Sequence, residues 1–96
     1  MAYTVIDKST DYFNSVLYTG NGGTGHAITG VGHQPDWVWL KNRNSSGHDH
    51  FLFDSVNGVK RFLSSNDTGT LASADNTYLS VFGSDGFTLN NSDGMN

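Results

Sequence analysis

The run Asp36-Trp37-Val38-Trp39-Leu40-Lys41-Asn42-Arg43, followed by His50-Phe51-Leu52-Phe53-Asp54-Ser55-Val56-Asn57-Gly58, constrains this chain more than any other feature. Both runs have the length and the aromatic content of strands, and both lie between turns rich in Gly, Ser and Asn. Side chains alternate along a strand, so Trp37 and Trp39 share one face while Val38 and Leu40 share the other. A strand that is apolar on both faces belongs in the middle of a sheet covered on both sides. The core is therefore expected to gather Trp37, Val38, Trp39 and Leu40 with Phe51, Phe53, Phe82 and Phe87.

Between these runs the residue types favour turns. Gly, Ser, Thr, Asn and Asp make up 51 of the 96 residues, and all nine acidic residues are Asp. Asp, Asn and Ser compete with helical backbone hydrogen bonds, whereas the missing Glu suits helix interiors. The expected fold is all-β: a compact antiparallel β-sandwich, jelly-roll-like or lectin-like, of seven to eight short strands with at most one short helical turn. A net charge of −4 disfavours a broad grip on nucleic acid or on an anionic membrane surface. Without cysteine the fold must hold by packing alone. No apolar run reaches the roughly 18 residues of a membrane helix, and the N-terminus lacks the basic start and apolar core of a signal peptide.

Along the chain, residues 1–14 read as an N-terminal arm and 15–96 as a single β-sandwich domain. Tyr3–Ile6 is a first strand or an extended arm, and Ser9-Thr10-Asp11 offers helix-capping chemistry for a turn or two. Ser15–Thr19 reads as a strand hairpinned to His26–Thr29 through the glycine-rich turn 20–25. Pro35 presets an extended approach to the Trp37 strand. Asn57-Gly58 is the strongest tight-hairpin signal, leading into Val59–Ser64. Residues 65–76 read as a long surface loop, and Thr77–Phe82 and Phe87–Leu89 as the last strands, joined by Ser84-Asp85-Gly86.

Chemistry-bearing constellations are sparse. Asp54, set against Lys41 or Arg43 across the hairpin, would form a structural ion pair that fixes register. Trp37, Trp39, Tyr18 and Tyr78 could offer flat faces to a sugar, although Trp37 and Trp39 fit a core better. His48 and His50 share a strand face at the spacing of a metal pair, with no second ligand cluster at a matching spacing. Ser, His and Asp abound without a Gly-x-Ser-x-Gly elbow. Segment 20–25 lacks the Lys-Ser/Thr ending and the helix of a phosphate cradle. No catalytic residue, metal or cofactor is expected.

Five ordered blocks carry a resemblance. They are Tyr18-Thr19-Gly20-Asn21-Gly22, Gly30-Val31-Gly32-His33-Gln34-Pro35-Asp36 running on to Arg43, Phe53-Asp54-Ser55-Val56-Asn57-Gly58, Leu63-Ser64-Ser65-Asn66 and Ser84-Asp85-Gly86-Phe87-Thr88-Leu89. Together, across roughly residues 12–90, they resemble a β-rich domain of structural and tail-fibre-like proteins of tailed, especially marine, bacteriophages. The chain departs from that pattern at His33, where an aromatic or aliphatic residue is usual, and at Asn57, where Arg is usual. The pattern also usually runs on into a further strand. This chain is therefore either shortened at Met95-Asn96, or completed by a partner chain, or carried on beyond Asn96.

The resemblance implies a non-enzymatic structural protein of a virion, assembled in the host cytoplasm, most readily a tail-fibre or appendage component. A capsid decoration or cement protein is the alternative, as is a carbohydrate-binding module that contacts host surface glycans. Expected partners are other virion proteins and further copies of the chain, a trimer among the candidates, with a host glycan in addition and neither nucleic acid nor membrane.

Overall fold

The computed structural model describes residues 8–74, 78–91 and 94–96. The reading of Tyr3–Ile6 lies outside the described residues. A 3-10 turn at Ser9–Asp11 precedes seven strands: β1 His26–Ile28, β2 Trp37–Leu40, β3 Phe51–Asp54, β4 Arg61–Phe62, β5 Ala72–Ser73, β6 Leu79–Gly83 and β7 Gly86–Leu89. All pairings are antiparallel. They build a three-stranded sheet in the order β1-β7-β6 and the two-stranded ribbons β2-β3 and β4-β5. Among the described residues one isolated bridge, Leu52 to Leu63, carries β3 over to β4. The fold is all-β, as the turn-rich, Glu-free composition implies.

The two layers meet through one face each. Val38 and Leu40 from β2, with Phe51 and Phe53 from β3, pack on Ile28, Leu79, Phe87 and Leu89 of the three-stranded sheet. Phe53 and Leu89 are fully enclosed. Phe62 lies 5.3 Å from Phe51 and 5.7 Å from Phe53, ring centre to ring centre, and stacks on Tyr78 at 5.4 Å. Such aromatic contacts add about 0.5–1.5 kcal/mol each beyond the area they bury. Phe82 is half-buried at the edge of this cluster.

Trp37 and Trp39 depart from the sequence expectation. They remain 50% and 53% exposed. The strand alternates as foreseen, with Val38 and Leu40 inward, but nothing among the described residues covers its outer face. An apolar strand is no evidence of its own cover, because cover comes from elements remote in sequence.

The ion pair expected of Asp54 is also corrected. The β2–β3 register sets Asp54 opposite Trp37, so Lys41 and Arg43 lie at the far end of the hairpin. Asp54 instead accepts from the Asn57 backbone at 2.7 Å and the Asn57 amide at 2.9 Å. That local bond also explains why Asn57-Gly58 is not a two-residue hairpin. A tight type I′ turn needs positive φ at both residues, and only Gly58, at 80°, has it. The chain makes a wider loop, closed by Gly58 N–H to the Asp54 carbonyl.

Two further readings change. Ser15–Thr19 joins no ladder among the described residues, and β1 pairs with β7 instead. Asn14, donating to the Val31 carbonyl at 3.2 Å, and Tyr18, donating to the Met95 carbonyl at 2.6 Å with its ring 6.1 Å from that of His26, hold this segment beside β1 by side chains rather than by a main-chain ladder. The loop expected over 65–76 contains β5, since Ala72 and Ser73 pair with β4. β7 sits at the centre of its sheet, and a Cβ on Gly86 would overlap the Ile28 carbonyl of the neighbouring strand. Only glycine permits that approach.

Candidate functional site

The outer face of β2 is built by alternation alone. Because Val38 and Leu40 are drawn into the core, Trp37 and Trp39 must point outward, two residues apart on the same face. Their ring centres stand 6.1 Å apart at an interplanar angle of 55°. His50, which follows the strand across the hairpin, extends the row, with its ring centre 5.7 Å from that of Trp39. The Trp39 Nε1–H donates to His50 Nδ1 at 2.9 Å, so this imidazole carries any single proton on Nε2 and fixes the indole's orientation. At the end of the row, Lys41 Nζ reaches the His48 carbonyl at 3.5 Å.

A broad open groove of about 1060 Å³ runs beside this row. It is lined on one side by β2 and on the other by the segment that passes through Tyr12, Phe13 and Leu17, with Phe87 and Met95 also reaching it. Tyr12, Phe13 and Leu17 are exposed, as are the two tryptophans. Isolated apolar residues on a surface are ordinary, but a contiguous aromatic and aliphatic patch marks a contact surface. Its ends differ in charge. Asp11 and Asp36 stand at one end, Lys41 and Arg43 at the other.

Two carboxylates hold loops that shape the approaches. Asp85 accepts from the Gly30 backbone at 3.0 Å and the Gly32 backbone at 2.7 Å, and its carbonyl takes the Val31 N–H. The Gly30 and Gly32 N–H groups, followed by the nearby His33, hold the Asp85 carboxyl below its ordinary pKa. Gly30 and Gly32 have φ of 82° and 90°, which lets three successive amides turn onto one residue. Asp54 is likewise lowered, first by the Asn57 side chain and then by its backbone. At the opposite end, burial pushes the Tyr18 phenol up to about 12.

Of the four aromatic residues that sequence reading grouped as sugar-facing, the fold brings only Trp37 and Trp39 together. Tyr18 is half-buried against Met95, and Tyr78 belongs to the Phe51–Phe62 cluster. Among the described residues no three His, Cys or Asp side chains gather at metal-binding distance, and no helix is long and apolar enough to cross a membrane. Two residues that organise the site carried no sequence signal beyond ordinary turn chemistry. One is Asp85. The other is Asn96, whose amide donates to the Gly23 and Asn90 carbonyls and whose Oδ1 meets His26 Nδ1 at 2.6 Å.

Fold and surface together define a small all-β domain, packed on one side of its principal hairpin and open along the other. The chain belongs to a family described as a domain of unknown function, DUF7483, whose model matches residues 8–96. No curated protein and no solved structure matches it.

Proposed function

We propose that this chain is a non-enzymatic structural domain of a bacteriophage virion, a tail-fibre or appendage component that works by docking through the open side of β2. The observation that carries the docking reading is the side-by-side exposure of Trp37 and Trp39 on a strand whose other face is sealed in the core. Exposing two indoles leaves several kcal/mol of burial unrealised at about 25 cal/mol per Å², which is understandable where a partner supplies the cover. The resemblance of five sequence blocks to phage structural proteins is what supports the virion location.

Virions purified through a density gradient are expected to contain this chain at fixed stoichiometry, with labelled antibody decorating the tail or its appendages. Decoration of the capsid shell would move it to the alternative, a decoration or cement protein. Absence from the particle would end the virion assignment. A second reading, contact with a host surface glycan, is favoured by the same exposed indoles, because pyranose C–H faces stack on such rings. A glycan array read with wild type and with Trp37→Ala/Trp39→Ala separates it from protein docking. Further copies of the chain, a trimer included, are a third partner class, which sedimentation over a range of concentrations decides.

A further inference from the structure

The groove beside β2 has walls made of unpaired main chain. Asp36 accepts from the Ser55 N–H on the β3 side, and Leu52 exchanges both of its main-chain hydrogen bonds with Leu63 on the β4 side. In an antiparallel pair, N–H and C=O of one residue point the same way and alternate from residue to residue. Asp36, Val38 and Leu40 therefore face β3, while Trp37 and Trp39 turn their N–H and C=O away from β3, to the open edge of the strand. Across it, the main-chain groups of Val16, Leu17, Tyr18 and Thr19 bond to nothing among the described residues.

The two walls run in the same direction. Thr10 and Asn14 sit against His33 and Val31, just before β2. Tyr18 bonds to Met95, beside the Gly94 backbone that lies against the Phe51 ring, and Phe51 is the register partner of Leu40 at the end of β2. One strand placed antiparallel to β2 would complete the open ladder of β2 and lie between it and Ser15–Thr19.

We propose that the groove is a strand-addition site for an extended segment of a partner polypeptide. Main-chain donors and acceptors lining both walls recognise another main chain, and the groove's apolar surface receives alternate side chains. Charge sets the direction and sequence of the guest. Antiparallel to β2, its start lies by Lys41 and Arg43 and its end by Asp36 and Asp11, so the segment is acidic at its N-terminal end and basic at its C-terminal end. This rests on the groove being the docking face, as proposed above, and is independent of where the protein resides.

The test uses the purified full chain, isotope-labelled, and the peptide Asp-Thr-Val-Thr-Val-Thr-Val-Lys at up to millimolar concentration. Saturation is expected to slow amide exchange of Trp37 and Trp39, and of Val16 to Thr19, by at least about tenfold, as new ladder bonds require. The charge-reversed peptide is expected to bind several-fold more weakly, and a peptide N-methylated at alternate residues not to bind. Trp39→Pro removes an N–H that faces the open edge of the strand rather than β3, a placement proline tolerates, and is expected to keep the fold but lose the peptide. The N-methyl comparison needs no change to the protein. Equal binding of the N-methylated peptide, or no binding by any peptide, would overturn the proposal. So would protection of these amides by maltohexaose alone, or by raising the protein concentration alone, since the occupant would then be a glycan or a second copy. Failure to find the chain in virions would leave the peptide result intact.

Discussion

The two faces of β2 use the same kind of residue to opposite ends. Inward, Val38 and Leu40 meet Phe51, Phe53, Phe87 and Leu89 in a continuous core. Outward, Trp37 and Trp39 carry more apolar surface than their inward neighbours and leave half of it exposed. Hydrophobicity alone does not separate the two faces. What separates them is whether remote segments return to cover them: β1, β6 and β7 come back over one side, while the segment before β1 holds off from the other. A domain arranged this way keeps its stability on one side and its recognition surface on the other.

Substitutions can break this division, beginning with the core. Phe53→Ala is expected to destabilise the domain by about 3–5 kcal/mol, because its fully enclosed ring leaves a cavity; urea unfolding measures this. Tyr18→Phe is smaller, about 1–2 kcal/mol, since it strands the Met95 carbonyl that the phenol now serves. It also tests the alkaline limb. The phenol's folded pKa of about 12 lies above its ordinary 10.0. Its neutral form therefore contributes stability that is complete below pH 10 and lost as pH rises through 12. Wild type should lose stability across that window, and Tyr18→Phe should lose less.

Asp85 gives the mirror-image sign at the acid end. Its carboxyl is lowered by the Gly30 and Gly32 amides, so its contribution is complete above the ordinary carboxylate value and disappears as pH falls through the lower folded one. Unfolding followed downward from pH 5 is expected to show a shallower acid limb in Asp85→Asn than in wild type. The open face contributes less per ring than the core. Trp37→Ala and Trp39→Ala, each made alone, should cost about 1–2 kcal/mol, because half of each indole is already in water, and the two together should abolish docking. A cost near that of Phe53→Ala would mean that the outer face is part of the core after all.

How much of this was legible in the sequence follows from the range of the interactions. β2, β3, β6 and β7 announced themselves through apolar alternation bounded by Gly, Asn and Asp, and the 3-10 turn sat where Ser9-Thr10-Asp11 placed helix-start chemistry. β5 did not, because Ala72 and Ser73 have no pattern to show. Ser15–Thr19 reads as a strand but pairs with nothing among the described residues, which no local signal reveals. Trp37 and Trp39 were assigned to the core because periodicity reports which residues share a face and is silent on what covers it. Asp85 and, but for its bond to Asn90, Asn96 act through partners 53 to 75 residues away, beyond the reach of any turn motif.

Amide hydrogen exchange along β2 in the free domain tests the central claim most directly. With β2 paired on one edge only among the described residues, Val38 and Leu40 are expected to exchange slowly, protected by β3, while Trp37 and Trp39, which alternate with them, exchange near the rate of open chain. Four equally protected amides would contradict it, because the second edge of β2 would then already be filled.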